Sequence, residues 1–444
     1  MITAAPDRAG RGRAAASLAP DFAPTPLWSD DVDCPEGSAG PLPAKVDVLI
    51  VGGGYTGLAA ARETARAGRT TLVLDSGPIG GGCSARNGGQ VAFSVKPELD
   101  ALAALHGETV ARALYREGFA AIEELRQLAR LPGVDVDWRD NGCFYAAHTR
   151  RHFERAKRAL EQQPAGFEVP VRVIEPEALA TATGSRSYYG GFVYPQDAAL
   201  HPLKLVRALH ARAVAAGAEC RSGCAVLSLE RTAEGLRART QHGAVVARQV
   251  LLATNGYSGP LSPWHRRRVI PIGSYQIATE LLDATLVGRL LPHGRNLVDT
   301  RRVIMYARPS PDGRRIVFGG RAAAAETDPV ACVPRLKRML VQRFPELAAV
   351  RISRAWAGFV AYTFDTLPHL GEDRGLFFCM GYCGQGVPMA PYYGRRIGLR
   401  MLGDPEGRTA LEGLRFPTRP FYTGRPWFLP AAILGYRLRD LIGW

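Results

Sequence analysis

Residues Val46–Asp75 read VDVLIVGGGYTGLAAARETARAGRTTLVLD. Val46 to Val51 is a short aliphatic, β-branched run of the kind a buried parallel strand requires. Gly52, Gly54 and Gly57 follow in G-x-G-x-x-G spacing. The first glycine of that pattern allows a tight turn, the second lets a pyrophosphate approach the backbone, and the third lets the next helix pack close to the strand. A helix rich in alanine and leucine then runs to Gly68, and Thr70–Leu74 is a second strand. Asp75 ends it, 23 residues after Gly52, near the roughly 20 expected of an acid that holds ribose hydroxyls. Strand, helix and acid agree on a dinucleotide phosphate seated at a helix N-terminus. They argue against a plain glycine-rich loop. An acid at position 75 disfavours a 2′-phosphate and leaves NAD and FAD both open.

The chain has 444 residues, too many for one ordinary core, so two domains are expected. Hydrophobic content of 46% and charged content of 22% are those of a soluble globular protein. The formal charge is +15, carried almost wholly by scattered arginines. The longest run is Arg266 to Arg268, with no basic block interleaved with aromatics, so no nucleic-acid partner is expected. The charge reads as a solvated surface with some attraction for anionic ligands or membrane surfaces. The eight cysteines include no C-x-x-C and no zinc spacing with histidine, so no metal site is expected. Reduced thiols and a cytoplasmic location follow. The first 40 residues lack the apolar run of a signal peptide, and no stretch is apolar enough to span a membrane.

Met1 to Ala44 reads as an extended arm in which Trp28 is placed to dock on the body. Pro97 to Leu131 has the period of two helices, and Gly142–Ala147 is a strand. Thr149–Gln163 is an amphipathic helix, and a long helix begins near Pro202. Val245–Ala253 is a strongly apolar strand that ends in ATNGYSG. Several antiparallel strands follow, then a helix over Pro334–Phe344 and strands over Arg351–Tyr362 and Leu376–Met380. The last strand runs into GYCGQGVPMAPYYGRRIGLRML, a second glycine turn with a helix, about 330 residues after the first. A nicotinamide enzyme would complete its sheet in one block. A nucleotide domain interrupted and resumed suggests a flavin fold.

With these blocks in view, the chain resembles the D-amino-acid oxidase superfamily of FAD-dependent amine oxidoreductases, in its γ-glutamylputrescine oxidase-like branch. The resemblance rests on VGGGYTGL, on GGCSARNGGQV (81–91), ATNGYS (253–258), PIGSYQIATE (271–280), GRRIVFGGR (313–321), AWAGFVAYTFDTLPHLG (355–371) and GYCGQGV (381–387), in this order. It implies an α/β (α+β) fold, with a discontinuous Rossmann-type FAD-binding domain and an interleaved substrate domain on a large antiparallel sheet. The expected division is an arm over 1–44, an FAD-binding domain over 45–98, 191–262 and 352–410, a substrate domain over 99–190 and 263–351, and a tail over 411–444.

By that resemblance Gly52, Gly54, Tyr55, Thr56 and Gly57 hold the FAD pyrophosphate and Asp75 the ribose. Ser84, Arg86, Asn87, Gly88 and Gly89 run past the phosphates toward the flavin ring. Val226 meets adenine through its backbone, and Gly256 lies at the strand end. Gly381, Gly384, Gln385, Gly386 and Val387 open a helix whose positive end faces the flavin pyrimidine. Arg86, Tyr275, Gln276 and Tyr362 are the expected substrate-side residues, with packing as the plain alternative for each tyrosine and for Gln276. Trp356 reads as core and His369 as structural. Val360 stands where some sarcosine oxidases carry a flavin-linking cysteine, so non-covalent FAD is implied. Pro388 stands where those enzymes carry a lysine, which puts sarcosine as substrate in doubt.

The implied chemistry is oxidation of a C–N bond in an amine or amino acid, a γ-glutamylated polyamine among them. A neutral amine delivers hydride to flavin N5, the imine is hydrolysed, and oxygen reoxidises the flavin. The alternatives are a dehydrogenase that passes electrons to a quinone, a non-catalytic flavoprotein and, weakest, a nicotinamide dehydrogenase. The aromatic, basic tail FPTRPFYTGRPWFLPAAILGYRLRD either packs back on the body, the favoured reading, or makes peripheral membrane contact.

Overall fold

Two sheets organise the chain in the computed structural model, which describes residues 16–93, 95–321 and 326–442. Part of the N-terminal arm, residues 1–15, lies outside them. The first sheet is built on the opening motif. Strand Lys45–Val51 pairs in parallel with Thr71–Leu74 on one side and Gly243–Leu252 on the other. Glu219–Arg221 and Leu376–Met380 extend the parallel array at its two ends. An antiparallel meander of Val226–Thr232 and Gly235–Thr240 continues from the first half of Gly243–Leu252.

Three helices, Tyr55–Arg66, Pro202–Ala215 and Gly386–Met401, share the buried core beneath this sheet. Small residues set their spacing. A Cβ on Gly394 would lie 2.5 Å from Thr56 O, and one on Gly398 would lie 2.9 Å from Ala60 O. The closing helix therefore lies directly on the opening one, tying two segments about 330 residues apart.

The second sheet has nine strands in the order 18–23, 352–362, 270–279, 316–320, 305–309, 296–299, 143–146, 191–194 and 172–174. It is antiparallel at most junctions. Strands 18–23 and 352–362, and strands 296–299 and 143–146, pair in parallel. One face packs on helices Ala284–Leu290 and Pro329–Arg343, and the other faces the first sheet's core.

The segments are distributed differently from expectation in three places. Strands Gly191–Tyr194 and Ile352–Tyr362, expected with the nucleotide-binding unit, belong to the nine-stranded sheet. Helices Leu99–His106 and Glu108–Ala129, expected with the other unit, bury Leu102, Leu114, Ile122 and Leu125 in the core shared with Tyr55–Arg66. Helical periodicity reveals an apolar face, and only packing decides its partner. The helix expected from Pro334 begins at Pro329, because Asp328 caps it by accepting from Val330 N at 2.9 Å. Pro334 sits inside it.

The arm docks as expected through Trp28, which is fully buried. Its indole Nε1 donates to Asn87 O at 2.8 Å, and its ring meets Trp356 edge-on at 6.2 Å. The tail is divided. Tyr422 is buried and donates to Val269 O at 2.8 Å, while Phe421 is 91% and Trp427 70% exposed.

Two variants test this packing. A Cβ on Gly57 would lie 2.0 Å from Gly52 O, so Gly57→Ala should lower stability by about 1–3 kcal/mol, the usual cost of overpacking, read as a lower urea midpoint. The buried Asp197 carboxyl is raised to about 7 by desolvation, which Tyr145 Oη at 3.3 Å only partly offsets. A raised acid binds more protons folded than unfolded, so it disfavours the native state increasingly as pH climbs from about 4 to about 7. Asp197→Asn should therefore gain thermal stability over the parent at pH 8 and lose that advantage near pH 4.

Candidate active site

The segment Gly81–Val91 lies between the two sheets, and nearly every carbonyl along it is held. Asn87 Nδ2 donates to Ser84 O at 2.8 Å and Cys83 O at 3.2 Å. Arg86 O accepts from Gln276 Nε2 at 2.6 Å and Trp356 Nε1 at 2.9 Å. Asn87 O accepts from Trp28, as above. Gly88 O and Gly89 O accept from Arg308 Nη1 at 3.0 and 3.1 Å. Gly89 has φ +64°, and a Cβ there would lie 2.2 Å from Leu200 O, so only glycine fits.

Three of these donors, Gln276, Trp356 and Arg308, come from one side of the large sheet by strand alternation. Gln276, Tyr306 and Arg308, and Trp356 with Val360 and Tyr362, occupy even positions on strands 270–279, 305–309 and 352–362. The odd positions Tyr275, Ile277, Met305, Ala307 and Ala355 fill the core on the opposite face. This separates two expected site residues. Gln276 faces the loop, with its buried Oε1 left without a partner and 3.6 Å from a Cβ built on Gly88. Tyr275 is 1% exposed on the far face. It donates to Glu326 Oε2 at 3.0 Å and accepts from Thr327 N at 2.9 Å, so it is a structural residue. Adjacent residues on a strand cannot both face one cleft.

At the opening motif Gly52 has φ +106°, and a Cβ there would lie 2.8 Å from Ala253 O. Asp75 accepts from Gly53 N at 2.9 Å and Gly77 N at 3.1 Å. Burial pushes its carboxyl up, and those amides pull it back. Ser84 Oγ accepts from Tyr55 N at 3.1 Å, closing over Gly54 at the helix entry. Tyr55 donates to Pro202 O and Thr56 Oγ1 bonds Tyr382 Oη at 2.6 Å, so both side chains are girders and only their backbone is offered. Val226 begins its strand two residues after Cys224, whose amide donates to Asp75 O at 2.7 Å. That places it beside the acid.

Arg86 does not extend freely. Its Nε donates to Gly81 O at 2.9 Å and its Nη1 to Ala357 O at 3.4 Å. Gly256 packs against strand 352–362, a Cβ there lying 3.2 Å from Phe359 Cβ. Its neighbour Asn255, at φ +44°, accepts from Gly381 N at 2.9 Å and joins the two strand ends. Gly381 has φ +86° and would clash with Thr363. Gly384 is exposed at φ +93°, next to Gln385, the N-cap residue, and Gly386 and Val387 form the first turn of the closing helix.

Sequence reasoning missed Tyr306, Lys96 and Arg308. Arg308 is 2% exposed without a carboxylate partner among the described residues. Burial pulls it down to about 10, and four carbonyl oxygens satisfy it. Nothing in the local pattern ARPSPDG separates it from a surface arginine. Tyr306 bonds Ser274 Oγ at 3.0 Å and lines Gly88.

The residues fit a dinucleotide. Glycines at both ends form tight turns where a Cβ would clash, an acid bonds the first turn, and Gln276 Oε1 is buried without a partner among the described residues. The comparisons agree. The family described as DAO, FAD dependent oxidoreductase, matches residues 47–398. The chain is 32% identical to the probable oxidoreductase OrdL of Rhizobium meliloti, covering 89% of this chain and 92% of that protein. It is 29% identical to the gamma-glutamylputrescine oxidoreductase of Escherichia coli, covering 96% and 98%. Glycine oxidase from Geobacillus kaustophilus shares the fold at a TM-score of 0.70 and 20% identity, covering 85% of this chain and 99% of that one. With more than half its length matched by the family and its glycine turns in place at both ends, this chain belongs to the DAO family of FAD-dependent oxidoreductases.

Proposed function

We propose that this oxidoreductase oxidises the C–N bond of an amine or amino acid, with γ-glutamylated polyamines among its candidate substrates, and that oxygen is the final acceptor. The observation that carries the reading is the single polar face of the large sheet, where Gln276, Tyr306 and Tyr362 line the glycine segments at Gly88 and Gly384. The near full-length likeness to the Escherichia coli gamma-glutamylputrescine oxidoreductase supports the substrate class. When bound, FAD supplies the hydride acceptor, and the imine left on the substrate is hydrolysed by water.

Ser84, Asp75 and the backbone of residues 52–57 hold its dinucleotide part in this scheme. The first amides of the Gly386–Met401 helix offer positive partial charge where negative charge develops. Gln276 is oriented by its bond to Arg86 O, which leaves Oε1 to accept from a substrate N–H. Trp28 and Trp356 close the rear of the segment against water. No side chain is needed as a base if the amine arrives neutral. Arg86 acts through its carbonyl, which positions Gln276 and Trp356.

Residues 45–129 with 202–252 and 369–402 form the cofactor-holding half in this reading, and the nine-stranded sheet the substrate-facing half. Among the described residues no helix is long and apolar enough to cross a membrane. All eight cysteines are unpaired, which supports a cytoplasmic location. The exposed Phe421 and Trp427 are the feature that favours a membrane quinone as acceptor instead.

Two measurements test the reading. Anaerobic mixing with an amine and amino-acid panel should bleach the visible flavin band, faster as pH rises toward the amine's own pKa near about 10, and reoxidation in air should release peroxide. A band that no amine bleaches rejects catalysis, and rapid dye reduction without peroxide assigns the quinone. Acid precipitation should leave the yellow colour in the supernatant, because Val360 offers no thiol for linkage. Colour retained in the pellet would refute non-covalent binding.

A further inference from the structure

The C-terminal helix Leu429–Ile442 is docked on the body by one face and bare on the other. Leu429, Ile433, Arg437 and Asp440 share its inner face by helical period. Leu429 and Ile433 are buried. Asp440 accepts from Arg302 N at 2.8 Å and Val303 N at 3.1 Å, and Arg437 Nη2 donates to Arg321 O at 3.4 Å. The approach to the helix is held as well. Tyr422 meets Phe364 edge-on at 5.3 Å and Phe428 at 5.9 Å, and Thr418 Oγ1 donates to Arg267 O.

The outer face is apolar. Ala431, Leu434 and Leu438 form one i, i+3, i+7 stripe, and all three are exposed. Trp427 just before the helix, Tyr436 on it, Phe421 at the preceding turn and Ile304 beside the Asp440 anchor are exposed too. Large apolar side chains gathered on one exposed surface mark an interaction site.

The rim of this surface is basic. Arg437 and Arg439 stand on opposite flanks of the stripe, and the Arg302 guanidinium lies 5.9 Å from the centre of the Tyr436 ring. Burial lowers Arg437, and Arg335 and Arg321 push it further the same way, so these cations crowd one another. Among the described residues, no carboxylate lies within the 4.0 Å of an ion pair from Arg302, Arg335, Arg419, Arg425, Arg437 or Arg439. Asp440 is the one acid between Gly413 and Ile442, and backbone amides engage both of its oxygens.

We propose that this face docks the protein peripherally on an anionic phospholipid bilayer, with Trp427, Leu434 and Leu438 entering the headgroup boundary and the arginines meeting lipid phosphates. Leucine and aromatic rings on one side of a helix with arginines along its flanks are the pattern of an interfacial helix. Juxtaposed arginines gain from an anionic surface, and the net charge of +15 draws the whole molecule toward it. A symmetric pair of copies would set the same arginines against each other, so charge disfavours that occupant. The surface is separate from the cleft, and docking holds whether oxygen or a quinone takes the electrons.

The test is co-sedimentation of the purified holoenzyme with vesicles of phosphatidylglycerol and phosphatidylcholine in equal parts, against vesicles of phosphatidylcholine alone. The mixed vesicles should carry the protein down at low salt, added salt should release it, and phosphatidylcholine alone should bind it at least about 10-fold more weakly. Arg425→Glu with Arg439→Glu should weaken partition about 10- to 100-fold, the scale of two basic contacts with an anionic surface. Trp427→Ser with Leu434→Ser should weaken it similarly, and Trp427→Phe should retain most of it. These side chains are exposed, so flavin absorbance and thermal midpoint should match the parent. If the double serine variant does not fold, Leu438→Gln interrogates the same stripe. Failure of the parent to bind the mixed vesicles, or unaltered partition in the folded variants, overturns the proposal. Dimerisation by light scattering that the stripe variants abolish, without vesicle binding, also overturns it and assigns the face to a second copy. Vesicle binding by an enzyme that no amine bleaches would retain the lipid surface and discard the amine reading, so the two fail separately.

Discussion

The structure depends on one constraint, the satisfaction of buried carbonyl groups along residues 83–89. This segment makes no regular ladder, so each oxygen needs a donor from elsewhere. The donors are Trp28 from the arm, Gln276, Trp356 and Arg308 from the large sheet, and Asn87 from the segment itself. Arm, nucleotide motif and nine-stranded sheet are thus joined through one stretch of backbone. A buried arginine is an expensive way to hold carbonyls unless all its donors are used, and Arg308 spends its Nη1 on three of them.

The second determinant is close approach of backbone to backbone. Gly57 against Gly52 O, Gly394 against Thr56 O and Gly398 against Ala60 O bring strand, opening helix and closing helix nearer than any side chain allows. The same tight contacts place the two helix N-termini on one side of the sheet, where both can face a single extended ligand. Packing and cofactor binding are therefore one property here. The glycines that permit the fold also expose the amides that a dinucleotide needs.

In the proposed reading, specificity belongs to the other sheet and follows its pleat. Even positions on strands 352–362, 270–279 and 305–309, the last two separated by strand 316–320, place Gln276, Tyr306, Arg308, Val360 and Tyr362 on one face, and odd positions build the core behind them. The cleft is completed from outside the sheet by Lys96, which donates to Tyr362 Oη at 3.0 Å from a segment held against helix Glu108–Ala129. The polar groups available to a substrate thus come from elements far apart in the chain, while those available to the cofactor come from two short glycine motifs.

By itself, the sequence determined what depends on local geometry. The strand–glycine–helix at Val46–Arg66, the acid at 75 and the glycine turn at Gly381–Val387 are each specified within a few residues, because a tight turn or a positive φ excludes other side chains there. Motif order along the chain was enough to identify the family. Tertiary structure alone decided which neighbour of a strand pair faces the cleft, and it turned Tyr275 away and Gln276 inward. It also decided that helices 99–129 serve the nucleotide core, that Arg308 is a buried clamp, and that Lys96 meets Tyr362 across 266 residues. An amphipathic period or a lone basic residue fixes a preference for burial or charge. Its partner is set by long-range packing, which no window of sequence contains.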